Sequence, residues 1–197
     1  MSGQQRREQL LDVGRALFAE VGYEATSTEE IALRAKVSKP VVYEHFGGKE
    51  GLYAVVVDRE IKRLLHRITE ALTGEHPREL LEQASTAFLT YIKEEQDGFR
   101  ILIRDAPVGK ASGTFASLIG DVALQVEYVL AQQFKTRDFD AKTAPLYAQA
   151  LVGMVAQVGQ WWLETNKPSL EKVSAHLVNL AWNGLGNLER KPQLKTK

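Results

Sequence analysis

Apolar residues recur three or four positions apart along nearly the whole chain. That is the period of a helix packed on one side, and no stretch shows the strict alternation of a half-buried strand. Leu10, Leu11, Gly14, Leu17, Phe18 and Val21 make one such stripe, which Gly22 stops. In TSTEEIALRA, Ser27 is placed to accept from an amide at a new helix start, and Glu30 stands three residues on, as a capping box requires. That second helix is short and ends near Ala35. Ser38 is another cap, Pro40 falls in a first turn where its missing N–H does no damage, and Gly47-Gly48 breaks the third helix after Phe46.

The helices behind are mostly longer. One runs from Lys49 to about Leu72 with Leu52, Val56, Leu64 and Ile68 on its apolar side, and Gly74 and Pro77 end it. Leu80 to Ile92 marks the next, finishing before Asp97-Gly98, and FRILIRDA is a short helix halted by Pro107. Thr114 to Phe134, Pro145 to Thr165 and Leu170 to Leu188 complete the set, the last two separated by NKPS. PQLKTK reads as a loose tail. The expected fold is all-α with about nine helices. Residues 1–48 form a three-helix head, 49–190 a helical bundle and 191–197 a tail.

Composition narrows the function. The 197 residues suffice for one large or two small domains with a real core, and 44% apolar with 25% charged content suits a folded soluble protein. Cysteine is absent, which excludes disulfide and thiolate chemistry and points to a cytoplasmic setting. MSGQQRREQL has no apolar core of signal-peptide length. Gln149, Gln157 and Gln160 interrupt the most apolar stretch, Leu146 to Leu163, so no membrane is expected as partner. His45, His66, His76 and His176 show no metal-ligand spacing, and no HExxH or nucleophile elbow occurs. GGKEG lacks the Gly-Lys-Ser/Thr ending of a phosphate-binding loop. Neither an enzyme nor a cofactor is expected. Net charge is zero, which argues against a bulk polyanion binder and leaves room for a local basic patch.

Such a patch lies at the front. Short helix, tight turn and a second helix opened by Ser-Lys-Pro have the spacing of a helix-turn-helix, whose second helix enters the DNA major groove. Val42 and Phe46 are four apart and can pin that helix, leaving Lys39, Tyr43 and Lys49 to face outward as phosphate donors. From Arg34 to Lys49 there are four basic residues and one acidic, Glu44.

GYEATSTEEIALRAKVSKPVVYEHFGGKEGLY resembles the N-terminal signature of TetR-family transcriptional repressors. The likeness covers roughly residues 6–55. It lies in Gly-Tyr after the first helix, Thr-Ser opening the second, Ile-Ala within it, Val-Ser-Lys before the third, Tyr-x-His-Phe at its end, and Lys-Glu-x-Leu opening the fourth. It implies backbone contacts from Thr28, Ser38, Lys39, Tyr43, His45 and Lys49, and base-edge contacts from Lys39, Pro40, Val41 and Glu44. His45 reads equally as a ring packed beneath the helix, and Glu44 as a solvated residue that deters non-specific binding. Lys36 stands where members commonly have Gly. If that turn needs a left-handed residue, Lys costs about 1 kcal/mol relative to Gly.

Family likeness also implies an effector pocket and a dimer in the rear. Phe88, Tyr91, Phe99, Ile103, Phe115, Leu118, Val122, Tyr147, Leu151, Met154 and Trp162 are apolar residues able to line a cavity or simply to fill a core. Few charges lie on these faces, so the expected effector is apolar or amphipathic. FRILIRDAP and LYAQALVGMVAQVGQWWLE are reminiscent of members regulating lipid metabolism, which points to a fatty acyl-CoA. Gly153, Ala156, Gln160, Leu177, Leu180, Ala181, Gly184 and Leu188 are the expected homodimer face of the last two helices. The expectation is thus a ligand-responsive repressor that binds a palindromic double-stranded DNA operator as a homodimer. Its rivals are a ligand-independent DNA-binding protein with a filled rear and a small-molecule carrier with a vestigial head.

Overall fold

A computed structural model describes residues 2–103, 115–190 and 192–193. Among them are nine α-helices, one 3₁₀ turn at Ala141–Thr143 and no strand, the all-α architecture expected. No helix of the described residues is long and apolar enough to cross a membrane. The chain condenses into two compact units, Met1–His66 with Tyr91–Ser117, and Arg67–Thr90 with Leu118–Lys197. These units cut across the division at residue 48 drawn from the motif, because the first helices pack against part of the rear.

In the first unit, α1 (Gly3–Ala25) opens on a reciprocal capping box. The Gln5 amide donates to Ser2 Oγ at 3.2 Å and the Ser2 amide to Gln5 Oε1 at 2.7 Å. Leu10, Leu11, Gly14, Leu17 and Phe18 are buried as the stripe predicts, but Val21 is exposed, since Gly22 (φ 86°) leaves the helical path beside it. α2 (Thr28–Arg34) is capped by Ser27, which accepts from the Glu30 amide at 3.1 Å. The reciprocal half of that box is not made, and Glu30 instead lies 3.6 Å from Arg34. α3 (Lys39–Phe46) follows, then α4 (Lys49–Ala71), α5 (Pro77–Glu94) and α6 (Gln96–Ile103). α1 packs on α2 and α6, and α2 on α3. Gly14 admits Leu52 of α4, whose Cδ2 would lie 2.7 Å from any added Cβ.

At the centre of this unit sits a carboxylate, Glu60, 1% exposed. It accepts from Arg15 Nε at 2.9 Å, Arg63 Nη1 at 3.0 Å and the Tyr91 hydroxyl at 2.9 Å. Arg15 Nη2 and Arg63 Nη1 also reach Glu95, at 2.7 and 3.3 Å. Burial, and then the adjacent Glu60 charge, push the Tyr91 phenol well above its ordinary range. α6 runs through Asp97-Gly98, where a break was expected. Asp97 suits a first helical turn, and Gly98 is required because a Cβ there would lie 2.0 Å from Glu60 Oε2. Pro107 and Thr114 lie outside the described residues.

The second unit holds most of α5 with α7 (Phe115–Thr136), α8 (Ala144–Thr165) and α9 (Leu170–Gly186), and α8 packs on α9. α9 stops two residues short of Leu188. Ser174 of α9 bonds Ser85 at 3.0 Å and Thr86 at 2.8 Å, so α5 and α9 join through hydroxyls. Asn166, in the left-handed region, closes α8 by donating its amide to the Trp162 carbonyl at 2.8 Å.

Candidate nucleic-acid interface

The helix-turn-helix is built by local chemistry. Lys36 takes φ 54°, and its amide donates to the Leu33 carbonyl while that of Val37 donates to Ala32, wrapping the end of α2. The turn therefore does use a left-handed residue, with Lys in place of Gly. Ser38 flanks the start of α3 in extended conformation, but its hydroxyl makes no capping bond. Pro40 occupies the first turn, and Gly47 (φ 72°) ends the helix by donating to the Tyr43 carbonyl at 2.8 Å.

α3 is two-faced. Val42 is 0% exposed, and Phe46 is half-buried beneath the Arg7 guanidinium, 4.3 Å above its ring. Lys39, Pro40, Tyr43 and Glu44 occupy positions i, i+1, i+4 and i+5, one stripe of a helix, and all four are exposed, Tyr43 at 49%. Val41 and His45 flank the stripe, half-buried. The His45 ring lies 6.3 Å from that of Phe46, and its carbonyl accepts from Arg7 Nη1 at 2.7 Å.

The cations are less free than the sequence suggests. Lys39 pairs with Glu29 and lies 5.9 Å from the Tyr43 ring centre. Arg34 pairs with Glu20 at 2.7 Å. Lys49 turns inward: Nζ donates to the Tyr23 carbonyl at 3.0 Å and sits 4.2 Å over the Tyr23 ring. Lys36 is exposed and makes no ion pair with a described residue. Thr28, 9% exposed, leaves the outward position at the start of α2 to Glu29. These contacts hold the Lys39 ammonium above its usual range and the Glu29 carboxyl below its own, each chiefly through their mutual hydrogen bond.

Sequence reading missed Glu29, Arg7 and Tyr23 as neighbours of this surface. It also missed Gly51, where a Cβ would fall 1.8 Å from the Phe46 carbonyl oxygen, so only glycine lets α4 start against the end of α3.

The effector-pocket residues divide between the units. Tyr91 and Phe99 are fully buried in the first, and Ile103 is half-buried there. In the second, Phe88, Leu118 and Trp162 are buried, with the Trp162 indole N–H donating to the Pro168 carbonyl at 2.8 Å. Val122, Tyr147, Leu151 and Met154 stay half-buried, and the Phe115 side chain lies outside those described. Of the dimer residues, Ala156, Leu177 and Ala181 are already buried within the chain. Gly153, Gln160 and Leu188 are half-buried, while Gly184 is exposed and Leu180 is 63% exposed.

Comparison with known proteins agrees with this geometry. Residues 10–56 match the model of bacterial regulatory proteins of the tetR family, and residues 77–184 match a tetracyclin repressor-like C-terminal domain. The HTH-type transcriptional activator FasR of Mycolicibacterium smegmatis is 32% identical over 191 residues, 93% of this chain and 84% of that protein. The HTH-type transcriptional repressor Rv3405c of Mycobacterium tuberculosis is 32% identical over 143 residues, 66% of this chain and 71% of that one. Among solved structures, a TetR-like transcriptional regulator from Rhodococcus sp. RHA1 superposes with a TM-score of 0.72 at 27% identity, covering 93% of this chain and 97% of that one. The outward stripe of α3, the left-handed turn before it and the two matched regions agree: the chain belongs to the TetR family of transcriptional regulators and carries a helix-turn-helix DNA-binding head.

Proposed function

We propose that this regulator works in the cytoplasm as a homodimer, binding a palindromic operator through residues 1–48 and an apolar or amphipathic effector through residues 49–190. The observation that carries the DNA half is the α3 stripe. Lys39, Pro40, Tyr43 and Glu44 stand outward while Val42 anchors the opposite face, so the helix can enter a groove without unfolding its support. Lys39 and Tyr43 grip phosphates, with Ser38 as a further hydroxyl donor. Pro40 and Val41 offer apolar contact to a thymine methyl, and Glu44 can accept from cytosine N4. Lys49, His45 and Thr28 support this surface from behind, with any phosphate contact secondary.

In the second unit, Val122, Tyr147, Leu151 and Met154 are apolar residues that the chain leaves half-covered, while Phe88 and Leu118 are buried. Their chemistry suits the acyl chain of an apolar or amphipathic effector, with a fatty acyl-CoA as the specific candidate. The dimer face is drawn on α8 and α9, where Leu180 and Trp161 are exposed and Gly153 and Gly184 have open space in front of them. Ala156, Leu177 and Ala181 back that face. Two-fold pairing would set the recognition helices about 34–36 Å apart, one DNA turn, or slightly more. An effector that changes DNA affinity 100-fold supplies about 2.7 kcal/mol of coupling.

The sign of regulation we read as repression by occupying a promoter. Activation is the second reading, and the FasR relative, an HTH-type transcriptional activator, favours it. Selection of bound duplexes from a random library, followed by native mass spectrometry of the source-purified protein, tests the whole reading. We expect two-fold symmetric sequences, a mass of two chains and a co-purified acyl ligand. A monomer that enriches no sequence overturns it.

A further inference from the structure

The recognition surface carries its own counter-charge. Glu29 is the second residue of α2 and Lys39 the first of α3, and the turn at Lys36 brings their side chains into an ion pair on the exposed side of the head. Lys39 also stands 5.9 Å from the ring of Tyr43, so Glu29 lies beside the same stripe that faces outward from α3. Of the four cations between residues 34 and 49, Arg34, Lys39 and Lys49 each have an intramolecular oxygen partner. The positive run in the sequence is therefore largely answered from within the folded head.

An exposed ion pair contributes little to folding, because water and salt screen it and two long side chains must be held in place. A different consequence follows at a polyanion. We propose that Glu29 is a positioning residue for Lys39: its carboxylate occupies the place of a DNA phosphate in the free protein and so suppresses sequence-independent binding. Any duplex that takes Lys39 must displace Glu29 and then accept a carboxylate beside its phosphate rails. Non-specific binding consists almost wholly of phosphate contacts, so it carries this penalty undiluted. The inference rests on the reading that α3 docks on DNA.

The test uses full-length protein and two labelled duplexes: one of random sequence, and one enriched from a random library by the unaltered protein. Both partners of the pair are exposed, so the variants leave the core intact. Fluorescence anisotropy is measured between 50 and 200 mM salt. Glu29→Gln is expected to tighten random-duplex binding about fivefold and to steepen the plot of log affinity against log salt by about one unit per bound subunit. Glu29→Asp, which keeps the charge, retains most of the original behaviour. In the Lys39→Ala background the Glu29→Gln gain falls below twofold.

Unchanged random-duplex affinity and slope in Glu29→Gln, with Lys39→Ala still weakening the enriched duplex, would overturn the proposal and leave the DNA reading standing. A full fivefold gain without Lys39 would overturn it too, since Glu29 would then act by general repulsion. Failure of the unaltered protein to enrich or bind any duplex sinks both.

Discussion

Within one unit, two carboxylates of the same kind sit in opposite surroundings. Glu60 is sealed among Arg15, Arg63 and Tyr91, with Gly98 pressed against it, whereas Glu29 stands in water with Lys39 as its partner. Burial makes every partner of Glu60 obligatory, because a stranded charge out of water costs several kcal/mol. Exposure makes the partner of Glu29 exchangeable for a phosphate at little cost to the fold. The first arrangement ties α1, α4, α5 and α6 together. The second leaves the recognition surface ready to trade partners.

The contrast can be broken most severely at its buried end. Glu60→Ala removes the acceptor shared by two guanidinium groups and a phenol, leaving the guanidinium groups only Glu95, and urea unfolding should show about 3–5 kcal/mol lost. A loss below 1 kcal/mol would mean that water already reaches the cluster.

Tyr91→Phe removes one bond to Glu60 and should cost about 1–3 kcal/mol near neutral pH. The folded state holds the Tyr91 proton more tightly than the unfolded chain, whose phenol titrates near about 10. This stabilisation is whole below that value and fades as pH rises above it. The gap in stability between the parent protein and Tyr91→Phe should therefore narrow above about pH 10, and a constant gap would deny the shift.

The smallest effect belongs to the surface. Arg34→Ala breaks the exposed pair with Glu20, and thermal or urea unfolding should show no resolvable loss of stability.

Much of the head could be read in advance because its signals are local. Ser27, Pro40 and Gly47 act within a few residues, whereas the left-handed position at Lys36 was signalled only by the Gly that family members commonly carry there. The pairing of Glu29 with Lys39 spans ten residues on two helices, and the Arg7 bond to the His45 carbonyl spans 38, so no window along the chain displays either. Glu60 had a visible signal. Val56, Glu60 and Leu64 form one row four apart on α4, and an acid inside an apolar row implies a buried partner. Helix periodicity alone treats such a residue as solvated. In the rear, apolar spacing located the helices, yet Leu177 and Leu180 look alike in sequence and differ in burial, because only packing against neighbouring helices decides which one turns inward.

The most direct measurement is dimethyl sulfate protection of the enriched duplex, which reports guanine N7 in the major groove. Protection is expected in two patches about one helical turn apart on one face of the duplex. That protection should vanish with a protein carrying Lys39→Ala and Tyr43→Ala together. A tightly bound duplex whose guanines all stay reactive would contradict the entry of α3 into the groove.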